Sequence, residues 1–463
     1  MAQYDSQNPK PLDRRAFIKR TGVAAAAAVG AAQTAQADIV KHILPRTIMG
    51  ANEKIYTGHI GLGGMGKNDL RIGLLRDDVV PIHMCDVYET HREQGADIVE
   101  GRHARPATTA YFEEIIENKD VDAVIIATPD HWHAIPSIMS CEAGKAVYCE
   151  KPMATTVAEG LAMVDAVKRT KAVFQLGTMQ RSGEHFQQAV KLIQDGHIGK
   201  VGRVETWAHD FKKVDEYAGV EDGPAPEGLD WDRYIGWTPK VPFNKNRFLN
   251  SFRWFLDYSS GKITDWGAHL IDIAVWGMGQ DKPARRVSAT GGKLVMQDTT
   301  TTPDTLDVIW EFDDYQLSFS NRMWNPMPLG RGIQYGIMWH GTLGTLLIDR
   351  TGFRVYSFKH NGGCEEIQVK DQKEMALNVG HWANFAHCIR TGEKPICDVE
   401  TGFNSTKICQ IGLAAYIGGA QLDWDDDNNT FTGPDSDAAK KANDFAYREY
   451  QNGWSLKSPY MKA

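Results

Sequence analysis

A carboxylate and an imidazole stand four residues apart in this sequence, at Asp265 and His269. A helix entered at Thr264 would place both on one face, because residues four apart are neighbours on a helix. A carboxylate beside an imidazole fixes its orientation and tunes its basicity. Such a pair is suited to removing a hydroxyl proton while hydride leaves the same carbon. The alternative is an aspartate at a helix N-terminus beside a packed histidine, and the spacing alone leaves both interpretations open.

A glycine-rich turn supplies the second candidate chemistry. After a short apolar strand, the run Gly61-Leu-Gly-Gly-Met-Gly66 leads into a helix predicted to begin near Lys67. Gly61 permits a tight turn, Gly63 lets a pyrophosphate approach the backbone, and Gly66 lets helix and strand pack closely. The phosphate charge would then lie at the helix N-terminus, among free N–H groups. A glycine turn without a ligand is the alternative.

An acid that follows this turn makes the pattern more specific. A second strand-like run ends on Asp86, where a carboxylate can accept both ribose hydroxyls of an adenosine and would repel a 2′-phosphate. This arrangement favours NAD over NADP. The stretch from Gly61 to Lys67 also satisfies the phosphate-loop pattern G-x-x-x-x-G-K, but Asn68 stands where Ser or Thr must hold magnesium. The sequence therefore disfavours a nucleotide hydrolase.

Two further segments follow predicted strands. Thr128-Pro-Asp-His-Trp-His133 holds two histidines beside an acid, which suggests zinc, but no other ligand set at metal spacing accompanies it. We therefore predict a loop that lines the cofactor groove, with Asp130 capping the next helix, and no bound metal. In Glu150-Lys151-Pro152, a lysine at the end of a strand would face the nicotinamide and polarise a substrate oxygen. A surface Glu–Lys pair, contributing under about 1 kcal/mol, is the alternative.

These residues need a scaffold that gathers strand ends. In the first part of the chain, strand-like and helix-like runs alternate, which predicts a doubly wound parallel sheet with ligands at the carboxyl ends of its strands. The predicted strands are 55–60, 80–85, 123–127, 146–149 and 173–176, and the predicted helices are 112–118, 135–143 and 156–169.

The pattern changes after Gly177. Strand-like runs with a period near two predict a mostly antiparallel, open sheet in a second, α+β domain, with one face free for a substrate or another subunit. The predicted strands are 202–209, 286–290, 307–312, 316–322, 333–339 and 344–349, and the predicted helices are 184–195, 267–277, 382–390 and 401–418. The acidic stretch from Asp423 is predicted as a solvated loop, because Asn428 stands where a calcium loop needs glycine.

Length and charge limit the classes of function. The chain has 463 residues, of which 42% are hydrophobic and 24% charged, as is typical of a globular protein with two domains. Its net charge is −8, and its first 37 residues are basic, so the remainder is more acidic still. This charge disfavours nucleic acid or an anionic membrane surface as a partner and suits a neutral small molecule.

The N-terminus has the pattern of an export signal. Arg14-Arg15 precedes a weakly apolar, alanine-rich run at 22–32, and Ala35-Gln-Ala37 offers a cleavage site. The pattern predicts a twin-arginine signal peptide at 1–37 and a periplasmic protein, although Asp13 stands where Ser or Thr commonly precedes the pair. A disordered basic arm is the alternative. A membrane-spanning helix is disfavoured because the apolar run is shorter than about 20 residues.

Taken together, the glycine turn, Glu150-Lys151-Pro152 and Asp265-x-x-x-His269 resemble the glucose–fructose oxidoreductase / inositol dehydrogenase / rhizopine catabolism (Gfo/Idh/MocA) family of NAD(P)-dependent oxidoreductases. Further segments are similar to its secreted, twin-arginine branch, namely 175–181, 233–239, 253–258 and 395–400. The resemblance covers nearly the whole chain after the signal. It implies an NAD-binding Rossmann domain at 50–175, a C-terminal substrate and oligomerisation domain at 176–440, and a tail at 441–463.

The resemblance also implies roles for individual residues. Lys151 matches the lysine that hydrogen-bonds the reacting oxygen, Asp265 matches the family's aspartate, and His269 matches its general base. The implied cofactor contacts are Gly61, Gly63, Gly64, Met65, Gly66, Asp86, Thr128, Pro129, Asp130, His131, His133, Glu150 and Lys151. The candidate substrate contacts include Trp132 and Trp266, because they adjoin these motifs and aromatic faces stack on sugar C–H surfaces. Arg181, Arg253 and Tyr258 are further candidates, each equally explained as a structural hydrogen-bond donor.

Three functions remain open at this point. The first is an NAD-dependent dehydrogenase of a sugar or glycoside CH–OH group, with tightly bound cofactor and the C3 hydroxyl as a candidate position that would give a 3-keto sugar. The second is a related NAD-dependent glycosidase, which oxidises a sugar carbinol transiently and eliminates the aglycone, but lacks the Glu-Lys-Pro signature. The third is a non-catalytic sugar- or NAD-binding protein, disfavoured because all three catalytic positions are filled. A homo-oligomer is expected.

Overall fold

The computed structural model describes residues 54–327 and 332–457, all within one compact unit that spans 49–463. The predicted signal peptide at 1–37 lies outside the described residues. One large apolar core continues from the first domain into the second, from Ile60 to Ala446. The two domains therefore form a shared interior.

The N-terminal domain is a parallel sheet of six strands in the order β3-β2-β1-β4-β5-β6. This order confirms the doubly wound Rossmann prediction. The strands are β1 (Ile55–Ile60), β2 (Val79–Cys85), β3 (Ala107–Thr109), β4 (Ala123–Ile126), β5 (Ala146–Cys149) and β6 (Phe174–Leu176). The helices are α1 (Gly64–Gly73), α2 (Glu89–Glu100), α3 (Phe112–Glu117), α4 (Ala134–Glu142) and α5 (Val157–Thr170).

The central strands β4 and β5 are apolar throughout and buried at every position. Strands covered by helices on both faces have this composition. Helix α5 begins at a capping box, in which Thr156 accepts from the Glu159 N–H and the Glu159 carboxylate accepts from the Thr156 N–H. Because β1, β4, β5 and β6 pair in parallel, their carboxyl ends lie at the same edge of the sheet.

The C-terminal domain is a ten-stranded sheet in the order β14-β13-β12-β11-β7-β10-β9-β8-β15-β16. Only the β10–β7 pair is parallel, which confirms the mostly antiparallel prediction. The strands are β7 (Val201–His209), β8 (Arg286–Gly292), β9 (Thr305–Glu311), β10 (Gln316–Arg322), β11 (Tyr335–Gly341), β12 (Gly344–Asp349), β13 (Gly352–Ser357), β14 (Gln368–Val369), β15 (Leu422–Asp425) and β16 (Thr430–Thr432).

The C-terminal domain also contains helices, some of which pack on this sheet. They are α6 (Glu184–Gln194), α7 (Trp231–Ile235), α8 (Lys262–Asp265), α9 (Gly267–Met278), α10 (Glu374–Thr391), α11 (Val399–Gly418) and α12 (Ser436–Ala446). Helix α9 packs on β7 and β11, and α11 packs on β8 and β9 as well as on α5. In the described chain, none of these helices combines the length and apolar character required to cross a membrane.

Two local predictions were wrong. The helix after the glycine turn begins at Gly64, not near Lys67, so the glycines themselves supply its first N–H groups. Asp265 and His269 do not share one helix, because the backbone breaks at Trp266 between α8 and α9. The prediction that both side chains lie on one face of a single helix was therefore wrong.

The C-terminal stretch is more ordered than predicted. Instead of a solvated loop, β15 and β16 form a hairpin whose Asp425 accepts hydrogen bonds from the backbone N–H and side-chain amide of Asn428. The predicted boundary at 440 falls inside α12, which packs on α11. Residues after 440 consequently belong to the C-terminal domain. The predicted boundary at 175 likewise falls inside β6.

Candidate active site

The glycine turn after β1 has the geometry that its sequence predicts. Gly61 has a φ of +85°, and a Cβ there would lie 2.6 Å from the backbone nitrogen of Thr128. A Cβ on Gly66 would collide with the carbonyl oxygen of Gly61, so this glycine permits the close packing of α1 on β1. Apart from the adjacent residues and the backbone of α1, no described atom lies within 4 Å of a Cβ built on Gly63 or Gly64. That open side is available to a ligand.

Asp86 braces this turn from the end of β2. Its Oδ2 accepts from the backbone N–H of Leu62 at 2.7 Å, and its Oδ1 accepts from the N–H of Tyr88 at 2.9 Å. The ring of His91 lies beside it, with Nδ1 3.4 Å from Oδ2. Asp86 and His91 both line the cleft. The carboxylate therefore fixes the turn and also lines the position expected for a ribose.

The loop from Thr128 to His133 passes over the ends of β4 and β5. Thr128 lines the cleft, and its buried hydroxyl has no hydrogen-bond partner among the described residues. The two ring nitrogens of His133 lie 3.0 Å from the carbonyl oxygen of Thr128 and 2.6 Å from that of Pro152. Burial raises the pKa of Asp130, whose carboxylate accepts from the Ser259 hydroxyl rather than capping a helix. This loop is held in place on both sides.

His131 and Trp132 tie the loop to the C-terminal domain. The His131 Nε2–H and the Trp132 Nε1–H each donate to the carbonyl oxygen of Tyr234 at 2.9 Å. The Trp237 indole N–H donates to the backbone carbonyl of His131 at 2.6 Å. Burial lowers the pKa of His131 to about 3, so its ring is neutral. His131 does not line the cleft, whereas Trp132 does.

The cleft between the two domains has a volume of about 1380 Å³ counted to its open mouth. It is continuous from the glycine turn to the segment after β5. Every predicted cofactor contact except Gly66 and His131 lines it. Fourteen lining residues were not predicted, among them His91, Arg233, Tyr234, Phe248, Leu249 and Asn250. Of these, Arg233 and Tyr234 lie in the segment 233–239, which resembled the family but carried no assigned role, whereas His91, Phe248, Leu249 and Asn250 lie outside every segment that carried a signal.

Lys151 lines this cleft and contacts Asp265, which is not one of the cleft-lining residues, although 114 residues separate the two. The Lys151 ammonium donates to the Asp265 Oδ1 at 3.0 Å and to its backbone carbonyl at 2.8 Å. Arg253 Nε donates to the same Oδ1 at 3.1 Å. Burial alone would raise the pKa of Asp265, but the charges of Lys151 and Arg253 outweigh it and hold the pKa well below its usual range. Asp265 is therefore a fixed anion that orients both cations.

His269 lies beside this ion pair in the first turn of α9. Burial, with the positive charges of Lys151 and Arg350, lowers the pKa of His269 well below its usual value. Its Nδ1 is buried and has no hydrogen-bond partner in the described chain. A buried, neutral imidazole near an ammonium group can accept a proton from a bound hydroxyl.

Glu150 lines the cleft immediately before Lys151. Burial raises the pKa of Glu150 to about 7, and the positive charge of Lys151 opposes the shift. Its Oε2 accepts from the backbone N–H of Lys151 at 3.3 Å, and its Oε1 lies 3.5 Å from the Tyr148 hydroxyl. The carboxyl group thus supports the backbone that carries the lysine.

The five candidate substrate residues separate into two groups. Arg253 and Trp132 line the cleft, and Trp266 lies between the catalytic cluster and Tyr335, with ring centroids 4.4 Å apart. Tyr258 is fully buried against His131 and is not a cleft-lining residue. Arg181 is 2% exposed and donates to both carboxylate oxygens of Asp272, which fixes it inside the protein. The spacing of a lone arginine gave no signal for this buried partner.

Two consecutive sequence profiles match this chain. One, described as oxidoreductase family, NAD-binding Rossmann fold, matches residues 55–178, and the other, described as oxidoreductase family, C-terminal alpha/beta domain, matches residues 183–311. The chain belongs to the Gfo/Idh/MocA oxidoreductase family. Its first domain is an NAD-binding Rossmann domain, as the glycine turn and Asp86 predict.

Named relatives within this family share parts of the chain. Levoglucosan dehydrogenase of Pseudarthrobacter phenanthrenivorans is 40% identical over 184 residues, which are 40% of this chain and 40% of the relative. A glycosyl hydrolase family 109 protein of Saccharopolyspora erythraea is 28% identical over 249 residues, which are 50% of this chain and 54% of the relative. The chain thus matches about half or less of the length of these two relatives.

A solved structure shows the same fold over a longer stretch. Levoglucosan dehydrogenase in complex with NADH and levoglucosan superposes with a TM-score of 0.61 at 20% identity, covering 80% of this chain and 99% of the other. At this identity the likeness is one of fold. In the part of the chain that the structure describes, no group of three or more His, Cys, Asp or Glu side chains is arranged to hold a metal ion.

The cleft residues fit a nicotinamide dinucleotide. The open side of Gly63 and Gly64 accepts a pyrophosphate at the N-terminus of α1. Asp86 stands at the ribose position, and the unpartnered Thr128 hydroxyl is a free donor and acceptor farther along the cleft. Lys151 and Glu150 lie where the nicotinamide end would reach, at the carboxyl end of β5.

Proposed function

We propose that this protein is an NAD-dependent oxidoreductase that acts on a CH–OH group of a sugar or glycoside and retains its cofactor tightly. The observation that supports the proposal is the 3.0 Å contact between Lys151, which lines the dinucleotide cleft, and Asp265, which lies behind it. The C3 hydroxyl, which would give a 3-keto sugar, is the position to test first.

The residues divide the proton chemistry among them. Two of the three ammonium protons of Lys151 are directed to oxygens of Asp265, and the third is available to a substrate oxygen in the cleft. His269 is neutral and takes the hydroxyl proton as the carbonyl forms. Asp265 keeps Lys151 charged and oriented. NAD+, when bound, supplies the hydride acceptor.

Retention of the cofactor is supported by the way the loop from Thr128 to His133 is held. Trp132 is covered by Trp454, with ring centroids 4.7 Å apart, in addition to its bond to Tyr234. The loop cannot open without breaking bonds to the C-terminal domain. A dinucleotide under it would leave slowly.

The test begins with the purified mature protein and identification of any nucleotide released on denaturation. A panel of sugars and glycosides is then added to native protein, and the absorbance of reduced nicotinamide is followed. Co-purified NAD that becomes reduced by one of these compounds is the expected result. Absence of bound nucleotide, together with no response when NAD and NADP are supplied, would overturn the proposal in favour of a binding protein.

A second candidate is an NAD-dependent glycosidase, because one relative is named a glycosyl hydrolase family 109 protein. Such an enzyme would use the same cluster to oxidise the sugar transiently, with elimination of the aglycone before the ring is reduced. It would release a chromogenic phenol from an aryl glycoside with catalytic NAD. A dehydrogenase would form reduced nicotinamide instead, so the two signals separate the candidates.

We also propose export to the periplasm by a twin-arginine signal at 1–37. Arg14-Arg15 and Ala35-Gln-Ala37 support it. A fusion of residues 1–37 to a reporter should reach the periplasm, and replacement of both arginines by lysine should prevent this. A reporter that crosses equally well with the lysine pair would contradict the proposal.

We propose finally that copies of the chain associate through the face of the sheet that the helices leave open. Along β9, Asp307 and Ile309 are exposed while Leu306, Val308 and Trp310 are buried. Ile309 is 38% exposed in the middle of the sheet. Light scattering should show an oligomer that Ile309→Asp weakens, and a monomeric wild-type protein would contradict this.

A further inference from the structure

One residue of the cleft wall has a backbone conformation that its side chain disfavours. Leu249 lines the dinucleotide cleft from the C-terminal domain and is 49% exposed. Its φ is +52°, in the left-handed region that leucine rarely adopts. Five residues other than glycine have a positive φ in the described chain, and Leu249 is the one among them that lines this cleft. An exposed leucine alone is ordinary, whereas a residue held in a disfavoured conformation at a binding cleft points to a role there.

The residues around Leu249 hold it in this conformation. Phe248 and Phe252, on either side of it, are buried in one cluster of mostly aromatic side chains. Asn246 is also buried, and its side-chain amide donates to the carbonyl oxygen of Tyr217 at 2.7 Å. Because its neighbours are anchored inside the protein, the left-handed turn at Leu249 persists, and its side chain stays in the cleft instead of joining the cluster.

Leu249 belongs to the end of the cleft where Asp86 stands. The ring of Phe248 lies 5.7 Å from that of Tyr88, whose backbone N–H donates to the Asp86 carboxylate. Arg253, later in the same segment, instead reaches the catalytic cluster. The segment therefore runs along the cleft from the ribose position to the catalytic end, and Leu249 lies in its first part.

We propose that Leu249 is a cofactor-binding residue that covers the adenosine half of bound NAD from the C-terminal domain. Contact with the nucleotide removes this apolar side chain from water, which stabilises the complex and slows release. The left-handed backbone is the stability that the protein gives up to hold the side chain in the cleft. The inference deepens the tight retention of cofactor that the proposed function includes, and it does not depend on the oxidation of a sugar.

The test measures the release of NADH, followed by its fluorescence after a chase with excess NAD, and the thermal midpoint of the protein without nucleotide. Leu249→Gly removes the cover and adopts a positive φ without strain. It should speed the release of NADH about tenfold. It should also raise the thermal midpoint by about 1–2 °C, because the strain of the left-handed leucine is gone.

Lys171→Gly is the matched control. Lys171 also has a positive φ, of +58°, but it is exposed at the end of α5 and does not line the cleft. Lys171→Gly should raise the thermal midpoint to a similar extent and leave the release of NADH unchanged. A gain of stability at both positions, with faster release at Leu249 alone, is the expected result.

Leu249→Asn separates the side chain from the backbone, since asparagine adopts a positive φ more readily than leucine but lacks the apolar cover. It should release NADH about as fast as Leu249→Gly. Wild-type release rates in both variants would overturn the proposal. Fast release in Leu249→Gly alone would also overturn it, because that pattern indicates a loosened backbone.

ADP-ribose, which carries the adenosine without nicotinamide, locates the contact along the cofactor. Its affinity, measured by calorimetry, should fall in Leu249→Gly by the same factor as that of NADH. A loss confined to NADH, or wild-type protein that binds neither nucleotide, would overturn the assignment. Because each rate is compared with that of wild-type protein, fast release by the wild type contradicts the proposed retention alone, and the ratio still decides the role of Leu249.

Discussion

The cofactor half and the catalytic half of the cleft are built in different ways. The cofactor half uses neighbouring backbone groups of one short stretch, Gly61 to Gly66, braced by Asp86. The catalytic half joins side chains 114 residues apart through charge, with Lys151 and Arg253 on one Asp265 oxygen. A site built from backbone groups does not depend on the chemistry of particular side chains. It requires that no side chain fills the room that the ligand and the close packing of α1 need. An ionic site depends on each of its charged side chains. Removing one of them leaves the opposite charge buried without a partner.

The largest effect is expected where a charge of the catalytic half is removed. Lys151→Ala should lower kcat for sugar oxidation about 10³-fold, because it removes the donor to the reacting oxygen and leaves Asp265 without its main partner. Bound NAD, measured by release on denaturation, should remain. Lys191→Ala, at an exposed lysine paired with Asp195, is the control and should behave as wild type. Wild-type turnover in Lys151→Ala would show that the catalytic half is assigned to the wrong residues.

Arg181 provides the next comparison, between a buried ion pair and a substrate contact. Arg181→Met should cost about 3–5 kcal/mol of unfolding free energy, since Asp272 would remain as an unpaired buried charge. Denaturant unfolding measures this, and the KM of the folded fraction should be unchanged. Arg105→Met, at an exposed arginine whose partners Glu93, Asp97 and Glu100 are also accessible to solvent, should cost far less. A raised KM with normal stability would instead make Arg181 a substrate contact.

Glycine-to-alanine substitutions test the cofactor half by adding a methyl group without changing any charge. Gly66→Ala should destabilise the protein by about 1–3 kcal/mol, because its Cβ meets the Gly61 carbonyl oxygen. Gly64→Ala should leave the thermal midpoint unchanged, because the new Cβ would meet no other side chain of the described residues. It should weaken NAD binding, because the Cβ would project into the open side of the turn. Thermal unfolding and nucleotide titration of both variants separate the two outcomes. Equal loss of stability in both would mean that the open side of the turn is filled by protein.

The charge of Asp86 provides a second test of the cofactor half. Asp86→Ser should relax the preference for NAD over NADP about tenfold, because it removes the carboxylate that would repel a 2′-phosphate. It should also lower stability slightly, since the serine cannot replace both hydrogen bonds to Leu62 and Tyr88. The ratio of kcat/KM for the two cofactors measures the change. Unchanged discrimination would remove Asp86 from the specificity argument.

The smallest expected effect is an absence of pH dependence in the catalytic half. Because the pKa of His269 is lowered, its ring stays in the base form as pH falls through the ordinary histidine range of about 6.5. Sugar oxidation should therefore not decline between about pH 8 and pH 6 on account of this base. Any change near pH 7 that disappears in Glu150→Gln belongs to Glu150, whose pKa is raised to about 7. A decline centred near 6.5 in both proteins would contradict a neutral, buried His269.

The same contrast explains what could be predicted from the sequence. Strands β1, β5, β10 and β12 were predicted to the residue, because each is a short regular run bounded by turn residues. Strand β3 was missed because it has only three residues, of which two are exposed. Helix α10 was predicted only from Trp382, although it begins at Glu374, since its first turns carry a mixed pattern.

The residues of the candidate site also differ in how far they could be predicted from the sequence. The glycine turn could be predicted because its function resides in consecutive residues. The partner of Arg181 and the burial of Tyr258 could not, because Asp272 and His131 are distant in sequence and no local pattern joins them. The break at Trp266 escaped prediction because the run from Lys262 to Met278 is otherwise apolar and helical in character.

The strap formed by residues 450–454 has a consequence for how the protein is made. Tyr450 donates to the buried Glu159 carboxylate, 291 residues earlier in the chain, and Trp454 closes over Trp132. A ribosome that has finished the dinucleotide domain has therefore not yet synthesised the residues that hold its loop. Nascent chains can begin to fold the sheet, but the contacts that hold this loop can form only after residues 450–454 have been synthesised. A chain that stops before Tyr450 would lack both the hydrogen bond to Glu159 and the cover over Trp132, so its dinucleotide domain would fold without this support.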